Sequence, residues 1–232
     1  MKSIIIHHHL GIGDHFICNG LVHTICDEYD EIHLICKAAC YPTVRHLYED
    51  YEKIKVIPIN DEPGDAYRYA AETGIPLVRI GFENLDRSKF ERSFYELVNI
   101  PLENRYTRFR FPKNLEKSIA FYEKVIYNKS KEYIFVFNTS THCTHSLNIE
   151  TNLSQFVAEK SDTDDILDYV HTIMNAKEVH FINSGLWPMI VQMHFLKLLH
   201  CDKIYFHDVR KLSEGGLKID IPNGIEIVKY ED

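Results

Sequence analysis

Residues 4–21 read IIIHHHLGIGDHFICNGL, and this stretch leaves the chain little choice of fold. It opens as an apolar, β-branched run that predicts a buried strand over residues 3–9. The run breaks at Gly11 and Gly13, then resumes with Phe16, Ile17, Leu21 and Val22 on the inner side of an amphipathic helix. Strand, glycine turn and helix make the first half of a βαβ unit. Its turn lies at the carboxyl end of the strand, where open α/β sheets keep their ligands. Gly11 and Gly13 are expected to let the backbone take positive φ and approach a ligand closely. Asp14 and His15 follow at the helix start, where free amide groups face outward. The turn is therefore expected to gather a carboxylate, an imidazole and a helix N-terminus. A plainer role for Asp14 is a helix N-cap, its side chain accepting an amide hydrogen bond.

The dinucleotide fingerprint GxGxxG is not met. Gly11 and Gly13 fill its first two glycine positions, but Phe16 stands at the third, and the next strand, EIHLICK, ends in Lys37 instead of an acidic residue. A nicotinamide cofactor is therefore not expected. His7, His8 and His9 do not read as a metal site either, because successive strand residues point to opposite faces.

A chain of 232 residues suits one large α/β domain or two small ones. Its 26 Lys and Arg against 34 Asp and Glu give a formal charge of −8, which argues against general nucleic-acid binding. No apolar run approaches the roughly 20 residues of a membrane span, and no signal sequence opens the chain, so a cytoplasmic protein is expected. The six cysteines form no CxxC pair and read as small apolar core residues. The 14 histidines are scattered and show no metal-ligand spacing, so no metal and no cofactor are expected.

Further strands are predicted over residues 31–37, 55–59 and 75–80, separated by helices over 42–50 and 67–72. Pro58 marks an edge or a strand end. These elements make a small doubly wound sheet. Helices are predicted over 88–98 and 115–127. Between them lies an extended aromatic and basic stretch, NIPLENRYTRFRFP, read as a crossover that packs its aromatics and solvates its arginines. A domain boundary is placed here, giving an N-terminal lobe of residues 1–110 and a C-terminal lobe of residues 111–232. The βα rhythm restarts with YIFVF, which runs into the polar loop Asn138, Thr139, Ser140, Thr141 and His142, rich in donors for a phosphate. A helix over 164–175, capped by Ser161, Asp162 or Thr163, precedes the strand EVHFI. That strand runs into Asn183, Ser184 and Gly185 before a helix over 186–200 with Pro188 in its first turn. The strand KIYFH follows, ending at His207 with Arg210 beyond it, and a last short strand closes the chain.

Two half-sized α/β units with polar turns at their strand ends imply a cleft between them. A carboxylate base facing a diphosphate-binding turn suits a sugar-nucleotide transferase, in which the base deprotonates an acceptor hydroxyl and donors stabilise the departing diphosphate. Helix N-termini and side-chain donors carry the leaving-group charge in such a layout without a metal.

HHLGIGDHFICNG resembles the GxGD turn that opens the heptosyltransferase-like glycosyltransferases of family nine, and KEVHFINSGLWPMIVQM is similar to their donor-lobe segment. The resemblance implies the two-lobed GT-B fold at reduced size, built from two Rossmann-like lobes. It implies Asp14 as catalytic base, and a donor diphosphate held at Asn138 to Thr141 and at Asn183 to Gly185. Asn183 stands where the family has an aspartate, and Thr141, His142 and His145 stand where it has a basic residue. The expected activity is inverting, metal-independent transfer of a hexosyl or heptosyl group from a nucleoside-diphosphate sugar to a hydroxyl of a glycan or glycolipid. His15 and Asn19 would place the acceptor or support the base. Ser140 and Ser184 would bind the diphosphate, and His207 or Arg210 would complete the pocket. The alternative is an inactive nucleotide- or glycan-binding module of the same fold. An oxidoreductase or epimerase is disfavoured, since the third glycine is missing and no Tyr-x-x-x-Lys pair lies within a predicted helix.

Overall fold

The computed structural model describes residues 2–9, 11–60, 63–82, 84–126, 132–140, 143–209 and 221–230. The chain forms two compact α/β lobes that divide at Lys113 and Asn114, each around its own parallel sheet.

The first lobe runs β1 (Ser3–His8), α1 (Ile12–Ile17), α2 (Asn19–Ile25), β2 (Glu31–Lys37), α3 (Tyr41–Leu47), β3 (Ile54–Ile59), α4 (Pro63–Thr73), β4 (Leu77–Ile80), α5 (Phe90–Glu96) and α6 (Asn104–Thr107). Its sheet has the order β3-β2-β1-β4, and every pairing is parallel. The winding direction reverses between β1 and β4, so the crevice of this sheet opens at the carboxyl ends of those two strands. Side chains alternate across the sheet. Ile5 packs with Ile35, Ile59 and Ala66 of α4 on one face, while the His8 ring meets His15 of α1 on the other. Helices therefore cover both faces.

Two buried features lock the helices of this lobe. A Cβ placed on Gly20 would lie 2.0 Å from the carbonyl oxygen of Asn104, so α2 and α6 approach as closely as a glycine permits. Arg105 and Glu91, both enclosed, form an ion pair that joins α6 to α5. This corrects the expectation of an extended stretch with solvated arginines: residues 104–107 are helical, Arg105 is in the core, and Arg108 pairs with Asp27. Only Arg110 is exposed as expected.

The second lobe runs α7 (Glu116–Ile126), β5 (Tyr133–Phe137), β6 (Ser154–Val157), α8 (Val170–Met174), β7 (Glu178–Ile182), α9 (Trp187–Phe195), β8 (Lys203–Asp208) and β9 (Glu226–Lys229). The order is β6-β5-β7-β8-β9, again parallel throughout. Here the winding reverses between β5 and β7. Phe135, Phe156, Phe181 and Phe206 line one face of the sheet and pack against Phe121 of α7, Tyr169 and Trp187 of α9. The helix expected over 164–175 is instead a 3-10 turn followed by α8, and its cap is Asp165, whose carboxylate accepts the Leu167 amide at 3.0 Å. α9 stops at Phe195, two residues before Lys197 turns into the left-handed region at φ 58.

The other face carries a buried histidine relay. The Asn148 amide donates to the Tyr230 hydroxyl (3.1 Å), which pairs with Nδ1 of His207 (2.7 Å). Nε2 of His207 meets Nδ1 of His180 (2.9 Å), and Nε2 of His180 meets the Glu178 carboxylate (3.2 Å). With the carboxylate accepting, one orientation satisfies the whole chain: Tyr230 O–H to His207, His207 N–H to His180, His180 N–H to Glu178, both imidazoles neutral. Burial and then the neighbouring His180 lower His207 to about 4, and burial lowers His180. In the first lobe, burial and then Arg110 and Arg108 bring His23 to about 4.

Two expectations follow. Gly20→Ala forces backbone apart and costs about 1–3 kcal/mol, read by chemical denaturation; an unchanged midpoint would mean that α2 and α6 do not touch in this way. The buried histidines stay neutral in the fold but take up protons when unfolded below about pH 6.5. Stability is therefore kept above pH 6.5 and lost as pH falls towards 4. Scanning calorimetry from pH 7.5 to 4 should show this decline, and His207→Gln should flatten it.

Candidate active site

The first-lobe site forms at the β1–β4 crevice. Gly11 ends the turn after β1 in an extended conformation (φ −67, ψ 146) and is itself the N-cap of α1, while Gly13 lies within the helix. Neither glycine uses positive φ, contrary to the sequence reading. Gly11 is fitted to its place for a different reason: a Cβ there would lie 2.7 Å from Oδ2 of Asp14. Asp14 occupies the third helical position and reaches back to accept the Gly11 amide at 3.0 Å, the acidic half of a capping box. It is thus not the N-cap, although it does the work of satisfying an end amide. The same Oδ2 accepts Nδ1–H of His9 at 2.6 Å. The Asp14 side chain is 10% exposed and that of His9 48%.

Around this pair stand His7 and His9 on the ring of Phe82, at 4.5 and 6.0 Å between centroids. The guanidinium of Arg79 lies 4.3 Å over the same ring. Gly81 precedes Phe82 at φ 84, a conformation that suits glycine, and its missing side chain leaves room for Phe94. His15 is fully enclosed, edge-on to His8 at 4.4 Å, and burial followed by the charge of His8 keeps it well below the ordinary imidazole range. A ring with no exposed surface does not touch an acceptor, so its part here is to pack behind β1. Asn19 is buried as well, and its Oδ1 accepts the backbone amide of Arg110 at 2.8 Å. It latches the 109–110 segment to α2 and is not open to an acceptor. These two positions depart from the acceptor-placing half of the sequence reading.

In the second lobe, the register Phe137↔Phe181 carries the turns after β5 and β7 to the same edge of the sheet. Asn138 is tied on both sides to His145, its Nδ2 donating to that residue's carbonyl (2.8 Å) and its own carbonyl accepting the His145 amide (2.9 Å). Thr139 bridges to Thr144, and the Ser140 amide donates to the Cys143 carbonyl at 2.8 Å. Residues 138–140 and 143–145 are therefore bonded to each other. A cavity of about 590 Å³ opens beside it, lined by Asn138, Thr139, Ser140, Cys143, Lys160 and Ser161 among others. Asn183, Ser184 and Gly185 follow β7 at the same edge, but they are not among the lining residues of that cavity. The Ser184 amide segment leads into α9, whose N-terminus has no side-chain cap. His207 belongs to the buried relay, 1% exposed, with both ring nitrogens bonded within the lobe. His142 and Arg210 lie outside the described residues.

Sequence reasoning missed three features. Lys160 brings a cation to the cavity, from the loop after β6, a strand with only Phe156 buried and hence no alternating signal. Cys143 is exposed, not a core residue, with its sulfur 3.2 Å from Nε2 of His145. His9 was read only for its strand position, whereas the signal lay in the spacing His9–Asp14 across the turn. Among the described residues no three His, Cys, Asp or Glu side chains cluster to hold a metal ion, and no helix is long and apolar enough to cross a membrane.

No protein-family model and no curated protein sequence matches the chain. Solved structures do. A glycosyl transferase family 9 protein from Veillonella parvula DSM 2008 superposes with a TM-score of 0.61 at 7% identity, over 100% of this chain and 88% of the other. TibC, an iron-containing dodecameric glycosyltransferase of enterotoxigenic E. coli H10407, gives 0.55 at 11% identity, over 89% and 60%. The ADP-heptose LPS heptosyltransferase II of E. coli gives 0.50 at 11%, over 98% and 90%. At such identities the likeness is one of architecture: two parallel-sheet lobes in the fold of the family 9 glycosyltransferases.

Proposed function

We propose that this protein is a glycosyltransferase that moves a sugar from a nucleoside-diphosphate sugar to a hydroxyl of a glycan or glycolipid. The observation that carries the reading is the Asp14 carboxylate, seated on the Gly11 amide at the carboxyl end of β1, in a fold shared with family 9 glycosyltransferases. A carboxylate held there supplies the negative charge that draws a proton from an acceptor hydroxyl. The hydroxyl oxygen attacks the anomeric carbon as the bond to the diphosphate breaks, so the configuration inverts. The leaving charge goes to donors of the second lobe: Lys160, the hydroxyls of Thr139 and Ser140, and the amides of the Asn183 to Gly185 turn before α9. With these donors the transfer is read as metal-independent. TibC has been solved with ADP-D-β-D-heptose, and the E. coli neighbour is an ADP-heptose enzyme, so ADP-sugars are the first donors to try.

Isothermal titration against ADP, UDP and GDP and their sugars, in chelator, tests the reading. Preferential binding of one nucleoside diphosphate is expected. Asp14→Ala should keep that affinity yet release no diphosphate from the matching sugar. Silence toward all of them at millimolar concentration would sink the transferase reading and favour a glycan-binding module.

A further inference from the structure

The connection from β5 to β6 has little to hold it. The two strands pair in parallel, and a parallel pair is ordinarily joined through a helix. Among the described residues between them, 138–140 and 143–153, none is helical. Connections between parallel strands are nearly always right-handed. Those from β6 to β7 and from β7 to β8 run the other way across the sheet and lie on its phenylalanine face, where Tyr169 and Trp187 pack. The β5–β6 crossover therefore lies on the histidine face. It meets the relay there, the Asn148 amide donating to the Tyr230 hydroxyl at 3.1 Å.

Along this crossover Ser146, Asn148, Glu150 and Asn152 are exposed, while Leu147, Ile149 and Thr151 are half-buried. Among the described residues, the bond to Tyr230 is the one hydrogen bond that ties residues 146–152 to a distant part of the lobe; the other is local, from the Leu153 amide to the Thr151 hydroxyl. Its two ends are better held, and both are walls of the 590 Å³ cavity. Before it, residues 138–140 are bonded to 143–145. After it, the Ala158 amide donates to the Val136 carbonyl at 2.9 Å, and the Tyr169 hydroxyl donates to the Glu159 carbonyl at 2.7 Å. A segment with so few bonds opens at lower cost than the walls it joins. The acceptor of its one distant bond belongs to the relay. With the Tyr230 O–H turned to His207, the hydroxyl oxygen keeps its lone pairs for Asn148.

Resting on the transferase reading above, we propose that residues 146–152 are a strap that gates the nucleotide cavity of the second lobe, with the Tyr230 hydroxyl as its latch. Latched, the strap keeps Cys143 and Thr144 on Ser140 and Thr139, so that this wall is formed before a ligand arrives. Unlatched, the wall loosens and the ligand leaves sooner.

Amide exchange followed by NMR on the full chain without ligand reads the latch, and stopped-flow release of ADP, UDP and GDP reads the gate. Asn148→Pro removes the donated hydrogen and leaves Tyr230 and the relay in place; Tyr230→Phe removes the acceptor. In wild type, Asn148 should exchange about tenfold more slowly, against its intrinsic rate, than Leu147 and Ile149 do, and Tyr230→Phe should erase that difference. Asn148→Pro should keep its thermal midpoint near wild type, speed exchange at 143–145 and release the bound nucleotide about tenfold faster. Tyr230→Phe should release it faster to a similar extent. An Asn148 amide without protection overturns the latch. Release from Asn148→Pro at the wild-type rate, whether or not Tyr230→Phe releases faster, overturns the gate and leaves the transferase reading standing. If wild type binds none of the three nucleotides, the transferase reading fails and the gate falls with it.

Discussion

The first-lobe site depends on one hydrogen bond, from the Gly11 amide to the Asp14 carboxylate. It does three things at once. It satisfies an end amide of α1, which has no other side-chain cap. It orients the carboxylate so that its Oδ2 also receives His9. And it demands glycine at position 11, because any Cβ would occupy the space that the carboxylate takes. A turn that ends a strand, starts a helix and fixes a functional group leaves little room for change, and the buried rings of His8 and His15 behind it keep the strand and helix at a set distance.

Around this point the protein buries many polar groups, and several of them have a partner that makes burial tolerable. Arg105 and Glu91 join two helices in the core. Asn19 holds a backbone amide 91 residues away. In the second lobe, Glu178, His180, His207 and Tyr230 link β7, β8 and the residue after β9 through hydrogen bonds that all run in one direction. Such networks specify position better than apolar contacts do, because a shift of one member leaves the others unsatisfied.

The strands and their parallel order were legible in the sequence because buried parallel strands are continuous apolar runs flanked by turn residues. The GxGD turn was legible for the same reason, and Asn138 and Asn183 could be placed at strand ends from YIFVF and EVHFI alone. What local patterns do not contain is the partner of a buried polar side chain. Arg105 looked solvated because arginine usually is, and Glu91 stands 14 residues earlier on another helix. Asn19 and His207 looked like ligand contacts because polar residues near a turn often are, yet each is consumed by a bond to a distant part of its own lobe. β6 escaped notice because an edge strand with a single buried residue has no alternation to read. Lys160 was missed with it.

The central claim is that the second lobe seats a nucleoside diphosphate on the turns after β5 and β7. Hydrogen exchange of the full chain with and without saturating ADP, UDP or GDP, read by mass spectrometry, addresses it most directly. Slowed exchange concentrated in residues 138–145 and 183–187 is the result this account requires. Protection that leaves both turns unchanged and appears elsewhere, or no protection with any of the three nucleotides, would contradict it.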